Sequence, residues 1–248
     1  MDIADTIAVM GYLESFVTPQ RSAKIDAVLA QRTRHLTVVV EDFHDSHNAS
    51  ALLRTCEGLG IQDVHVVENF NTFKAGVGAA SGAEKWVTRH HYSEAGQDNT
   101  LCCCAKLRSQ GYSIVATSPH LQARPPEIVP LDQKLAIIFG SECYGVSEQA
   151  LATADWHLKI PMVGFVESLN VSVSAAMCLY TLTQRLRAMN LDWALSDHEK
   201  LDLRLDWIRQ SVQHSEALER HFWAQRRNNN GVQAKRLPPM IVRSFPDK

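Results

Sequence analysis

Three short stretches of the 248-residue chain carry side chains whose types and spacing could do chemistry. In Asn48-Ala-Ser-Ala-Leu-Leu-Arg54 an amide opens a helical segment and a guanidinium follows six residues on, about 9 Å up a helix. Asn48 suits an N-cap, whose side-chain oxygen accepts from the free N–H groups of the first turn. Helical side chains lean toward the N-terminus, so the Arg54 guanidinium can reach back toward the preceding strand end. In Ile138-Phe-Gly140-Ser-Glu142-Cys-Tyr-Gly145 a strand opens into a loop whose two glycines permit close backbone approach, and Glu142 adds an anion. In the third stretch, Ile160 to Ala176, Ser168 and Asn170 open a helix dense in Val, Ser and Ala. Singly, each has a plain structural explanation: a cap and a surface arginine, a strand-to-turn connection, a buried helix. Jointly they sit beyond the carboxyl ends of strands, where open α/β sheets hold their ligands.

The elements that must position these groups are legible as alternating patterns. Leu36-Thr-Val-Val-Val40, Val64-His-Val-Val67, Tyr112 to Thr117 and Leu135-Ala-Ile-Ile-Phe139 read as strands, with weaker ones at 86–92 and 157–160. Helical segments fall at about 48–59, 96–110 and 170–189, and Ser147 can cap a short one through Thr153. Residues 1 to about 34 read as helical, with Ile25, Val28 and Leu29 on one face. Residues 190 to about 228 carry charges at helical intervals, with Trp193, Leu201, Leu205 and Trp207 as apolar anchors, and Asn228 to Gly231 reads as a turn. Strands alternating with helices predict an α/β fold, a mainly parallel sheet covered on both faces.

Several chemistries are excluded or disfavoured. No glycine-rich loop ending in Gly-Lys-Ser or Gly-Lys-Thr is present, so a P-loop phosphate cradle is absent. Gly76-Val-Gly78-Ala-Ala-Ser-Gly82 resembles a dinucleotide fingerprint, but its third glycine comes one residue late and no strand runs into it. Gly140 to Gly145 is no nucleophile elbow, because Glu142 stands where a serine would be. The six cysteines form no C-x-x-C pair and the eleven histidines no ligand spacing, so no metal site is expected. Free thiols and an N-terminus with Asp2, Asp5 and Glu14 among its apolar residues point to a reducing cytoplasm, with no signal peptide or membrane span.

In this order, Asn48-to-Arg54, Phe139-to-Gly145 and Ile160-to-Ala176 resemble the three motifs of the SPOUT-class (SpoU-type) RNA ribose 2′-O-methyltransferases. The similarity runs from about residue 20 to 190 and leans toward the tRNA guanosine-18 branch. It implies a C-terminal deep trefoil knot, which physics alone would not propose, because knots are nearly absent from proteins. It also implies a homodimer, S-adenosyl-L-methionine as cofactor near Thr117, Gly140, Ile160 and Leu169, and methyl transfer to guanosine-18 of the tRNA D-loop. The catalytic set becomes Arg54 with Asn48, Glu142, Ser168 and Asn170, in which Glu142 orients Arg54 by an ion pair. One departure is Cys143-Tyr144, where relatives more usually carry Lys and a large residue. The implied organisation is an N-terminal helical extension (1–34), a catalytic domain (35–189) and a basic C-terminal helical extension (190–248). An rRNA or other-site tRNA methyltransferase, an inactive RNA-binding scaffold on this fold and a small-molecule methyltransferase are the alternatives.

The charge balance at first opposes an RNA substrate, because Lys plus Arg total 25 against 27 Asp plus Glu, a net −2. From Arg220 to the C-terminus, however, seven basic residues face the single acid Asp247. The local charge is +6, which leaves −8 on the other 219 residues. Arg226, Arg227, Lys235 and Arg236 are thus the candidate electrostatic grip on tRNA.

Overall fold

Six strands form one parallel sheet in the order β3-β2-β1-β5-β4-β6: Leu36–Glu41 (β1), Asp63–Val67 (β2), Thr88–Tyr92 (β3), Tyr112–Thr117 (β4), Lys134–Phe139 (β5) and Trp156–Leu158 (β6). The computed structural model describes residues 2–74, 82–119 and 123–234, with side chains as far as 227. The glycine-rich run 76–81 lies outside the described residues, as do Lys235 and Arg236. The helices are α1 (Ile3–Glu14), α2 (Pro19–Leu29), α3 (Ser46–Leu59), α4 (Asn99–Ser109), α5 (Glu148–Thr153), α6 (Val171–Ala188), α7 (Asp197–Ser211) and α8 (Ser215–Ala234).

The central strands alternate between two apolar layers, as a sheet covered on both sides requires. Val38, Val40, Val64, Val66, Ile137 and Phe139 pack with residues of α3 and α6, such as Leu52, Leu53, Leu179 and Leu182. Val39, Ile114, Ala116, Ala136 and Ile138 point the other way, toward Cys103, Cys104 and Leu107 of α4 and Ala150 of α5. Burial pushes the Cys56 and Cys178 thiols up to about 12, which leaves them as inert core residues.

The chain divides into two compact units, Ala27–Asp197 and a second made of residues up to Asp26 with those from His198 onward. The first holds the whole sheet. In the second, Tyr12 of α1 stacks on Phe222 of α8 with centroids 5.1 Å apart. Arg204 of α7 donates to Glu14 at 2.6 and 3.1 Å and to Asp26 at 2.7 Å.

Four local readings need correction. The N-terminal helical stretch is two helices, broken at residues 15–18. Helix α7 starts only at Asp197, so Trp193 precedes it; its carbonyl accepts from Thr33 Oγ1 at 2.6 Å and its ring packs on the main core. Helix α8 continues through Asn228 to Gly231, where a turn was expected. A single glycine costs a helix only about 1 kcal/mol, too little to stop one already propagating. Asn48 does not cap α3. The cap is Asp45, whose carboxylate accepts from His47 N at 2.7 Å, and the helix begins at Ser46.

Candidate active site

With Asp45 holding the first-turn N–H, the Asn48 side chain is released from capping and turns toward the neighbouring loops. It is 7% exposed, and both of its polar ends are used. Asn48 Nδ2 donates to Glu142 Oε1 at 2.8 Å, and Asn48 Oδ1 accepts from Asn170 Nδ2 at 3.0 Å. A side-chain relay therefore joins one residue from each of the three stretches.

Each end of the relay is fixed by local structure. Asn170 is the N-cap of α6, and its Oδ1 accepts from Ser172 N at 2.9 Å and Val173 N at 3.4 Å. Its amide nitrogen is thereby aimed at Asn48. Glu142 also accepts from the backbone N–H groups of His44 at 3.2 Å and Asp45 at 3.4 Å. The carboxylate thus closes the β1–α3 connection onto the loop after β5.

The loop after β5 is a tight reversal. Gly145 N donates to Ser141 O at 2.9 Å, and Gly145 takes φ 71°. A Cβ on Gly140 would lie 2.1 Å from the Gly145 backbone, so only glycine fits there. The far side is tied down by the buried Glu41 at the end of β1. Its carboxylate accepts from Ser147 N at 2.8 Å, Ser147 Oγ at 2.7 Å and Thr100 Oγ1 at 2.5 Å. Ser147 in turn caps α5, as expected.

A cavity of about 710 Å³ opens along this loop, within the range of small-molecule sites. Its wall comes from the carboxyl ends of β4, β5 and β6 and from the segment entering α6. All four residues expected near a cofactor, Thr117, Gly140, Ile160 and Leu169, line it, as do Glu142, Ser168 and Asn170. Thr117 Oγ1 donates to Ile138 O at 2.9 Å, which fixes the end of β4 against β5. Cys143, Tyr144, Glu148, Glu167 and Cys178 also face it. Cys143, Tyr144 and Glu167 lie within the second and third motif stretches, whereas Glu148 and Cys178 lie outside all three and are brought in by the fold.

Arg54 is not part of the relay. It is exposed on α3 and has no hydrogen-bond or ion-pair partner among the described residues. The expected Arg54–Glu142 ion pair is therefore absent, because Glu142 is already engaged by Asn48 and two backbone N–H groups. Arg54 is left as an uncommitted cation two turns up the helix that carries Asn48.

On α8, Arg227 is exposed and donates from Nε to Trp223 O at 3.3 Å, while Arg226 pairs with Asp5 at 3.2 Å. Among the described residues no cluster of His, Cys, Asp or Glu could hold a metal ion.

A parallel α/β sheet with a polar relay and a ligand-sized cavity at its carboxyl edge is the arrangement by which open α/β proteins hold a small molecule at the strand ends. Residues 35–180 match the model of the SpoU rRNA Methylase family. The chain is 40% identical over 215 residues to the tRNA (guanosine(18)-2'-O)-methyltransferase of Borreliella burgdorferi, covering 87% of this chain and 96% of the relative. It is 37% identical over 199 residues to the protein of the same name from Thermus thermophilus, covering 77% and 97%. It superposes on the TrmH/SpoU tRNA modifying enzyme of A. aeolicus with a TM-score of 0.69 at 27% identity, over 78% of this chain and 98% of that one. The chain belongs to the SpoU methylase family.

Proposed function

We propose that the chain is an S-adenosylmethionine-dependent tRNA ribose 2′-O-methyltransferase that acts on guanosine-18 of the D-loop, the activity named for its relatives. The observation that carries this reading is the Asn170–Asn48–Glu142 relay, which links the three motif stretches beside the cavity.

The cavity fits the cofactor in size and in lining. Thr117, Gly140, Ile160 and Leu169 surround a space of about 710 Å³, and the bare backbone at Gly140 leaves room for close approach. When bound there, S-adenosylmethionine supplies a methyl group activated by a positively charged sulfur. The protein's remaining task is to align a ribose hydroxyl and help it lose a proton. A guanidinium is a hydrogen-bond donor and a cation, not a proton acceptor, so Arg54 acts by its charge and its donors. Its role is to clamp the adjacent phosphate and stabilise the developing alkoxide, and with no partner among the described residues its donors are left for RNA. Asn48, Glu142 and Asn170 hold the loops in register, and Ser168 sits at the cavity wall where the α6 segment enters.

The trefoil knot, the homodimer and a cytoplasmic location belong to the same reading. Val173, Met177 and Tyr180 form an exposed stripe on α6 at spacings of four and three, and Phe165 and Val166 in the segment ahead of that helix are exposed too. A second copy covering that stripe would bury it. Among the described residues no helix is long and apolar enough to cross a membrane. The organisation into extensions 1–34 and 190–248 around a 35–189 catalytic domain is part of this proposal, with Arg226, Arg227, Lys235 and Arg236 gripping tRNA.

The test is transfer of labelled methyl from S-adenosylmethionine to unmodified total tRNA and to ribosomal RNA in parallel. Label in tRNA is expected. Label in ribosomal RNA alone would move the enzyme to another branch of its family, and failure to bind S-adenosylmethionine in calorimetry would leave an inactive scaffold.

A further inference from the structure

Phe70 is 92% exposed, yet the loop that carries it is held by a set of hydrogen bonds to its backbone. It follows β2, at the carboxyl edge of the sheet. Asp42 Oδ1, at the end of β1, accepts from three consecutive backbone N–H groups: Asn69 at 2.7 Å, Phe70 at 2.8 Å and Asn71 at 3.2 Å. Asn71 Nδ2 returns a bond to Asp42 O at 2.9 Å, and Asn69 exchanges bonds with Thr100 and Asn99 at 2.9 Å each. Phe73 N is held by Glu68 at 2.5 Å, and the Phe73 ring packs on the main core. To make this grip Asp42 adopts φ 53°, a left-handed conformation that costs a non-glycine residue of order 1 kcal/mol.

The geometry therefore spends backbone strain to present an aromatic ring to solvent on a fixed mount. Burying a phenylalanine is worth about 2 kcal/mol, and Phe70 forgoes nearly all of that. The mount adjoins the candidate active site through the chain itself. Asp42 grips the Phe70 loop, and two to three residues later His44 and Asp45 donate to Glu142. Exposed Lys74 follows on the same loop. A pre-positioned aromatic ring with a nearby cation, at the edge where the substrate must enter, matches the chemistry of an unpaired nucleobase.

We propose that Phe70 is a substrate-binding residue on whose ring a base of the tRNA stacks as the target ribose enters the site. The inference rests on the tRNA reading above. Because the loop is pinned by its own backbone bonds, the backbone loses little freedom on binding and only the side-chain torsions of Phe70 remain to be ordered, which favours affinity. Stacking is tolerant of base identity and releases no counterions, so it acts separately from the cationic grip.

The test compares wild type, Phe70→Ala and Phe70→Trp in binding and methylation of an unmodified tRNA transcript. Phe70→Ala should weaken tRNA binding about tenfold, equivalent to about 1.4 kcal/mol, and raise KM for tRNA. Its affinity for S-adenosylmethionine and the slope of tRNA affinity against salt should be unchanged. Phe70→Trp should restore binding, and its added tryptophan emission should be quenched by tRNA. The change is on the surface, so the fold should survive it. An alanine variant within twofold of wild type for tRNA, or a tryptophan whose emission ignores tRNA, overturns the stacking role while wild-type methylation continues. Absence of tRNA methylation by wild type would instead defeat the broader reading, and this inference with it.

Discussion

Asn48→Asp is the sharpest perturbation of the relay, because it changes one atom and leaves the shape intact. The Oδ1 that accepts from Asn170 is retained, and the Nδ2 that donates to Glu142 at 2.8 Å becomes an oxygen. Two losses combine. A hydrogen bond to a charged acceptor, worth about 1.5–3 kcal/mol, disappears. Two carboxylates are also brought to the same 2.8 Å separation. Coulomb repulsion there is about 1.5 kcal/mol in a water-like dielectric and about 3 kcal/mol at an effective dielectric of about 40. Relaxation of the exposed Glu142 absorbs part of both, so a net destabilisation of about 2–4 kcal/mol is expected in urea unfolding at pH 7. Asn48→Ala lacks the repulsion and should cost about 2 kcal/mol for its two lost bonds. The aspartate variant should recover toward the alanine one as pH falls through the carboxylate range, because protonation removes the repulsion and restores a donor. Methyl transfer should fall with both. An aspartate variant within 0.5 kcal/mol of wild type would refute the relay as a structural link.

Arg54→Ala should abolish methyl transfer by at least about 100-fold while leaving unfolding within about 0.5 kcal/mol of wild type, since the side chain is exposed. Gly140→Ala forces its Cβ onto the Gly145 backbone at 2.1 Å. Calorimetry should show S-adenosylmethionine binding weakened at least about tenfold. Burial, reinforced by the neighbouring His90, pushes His65 down to about 4, so the folded state keeps it neutral while the unfolded chain protonates it near 6.5. The unfolded state then binds more protons between those values. Stability from this group is complete above pH 6.5 and falls by up to about 3 kcal/mol as pH drops toward 4; His65→Gln should flatten that slope in urea titrations. Neutralising Arg226, Arg227, Lys235 and Arg236 together should weaken tRNA binding and reduce its salt slope, and an unchanged slope would remove them from the interface.

The sheet was largely readable because its strands are β-branched or apolar runs bounded by breakers. Tyr112–Thr117 falls where the sequence places it, and Gly111 stops α4 with φ 85°. The strand order 3-2-1-5-4-6 was not readable, since no local pattern records which strands pair across the sheet. The site residues were identifiable as a set, but the bonds between them were not. Asn48 has the chemistry of a cap, and only the presence of Asp45 three residues earlier releases it for the relay. Glu142 has the charge to pair with Arg54, and only the fold shows that two backbone N–H groups and an amide reach it instead. The Asp42 grip on the Phe70 loop was hidden for the same reason, because a carboxylate binding three backbone donors leaves no motif.

The central claim, ribose methylation at one guanosine, is tested most directly by the alkali resistance of a methylated transcript. A 2′-O-methyl group blocks hydrolysis of the phosphodiester on its 3′ side. Incubation with labelled S-adenosylmethionine should place all label in an alkali-resistant dinucleotide that begins with guanosine-18, the position named for the relatives. A transcript with 2′-deoxyguanosine there should accept none. Label released as mononucleotide, or label undiminished in the deoxy transcript, would contradict the account.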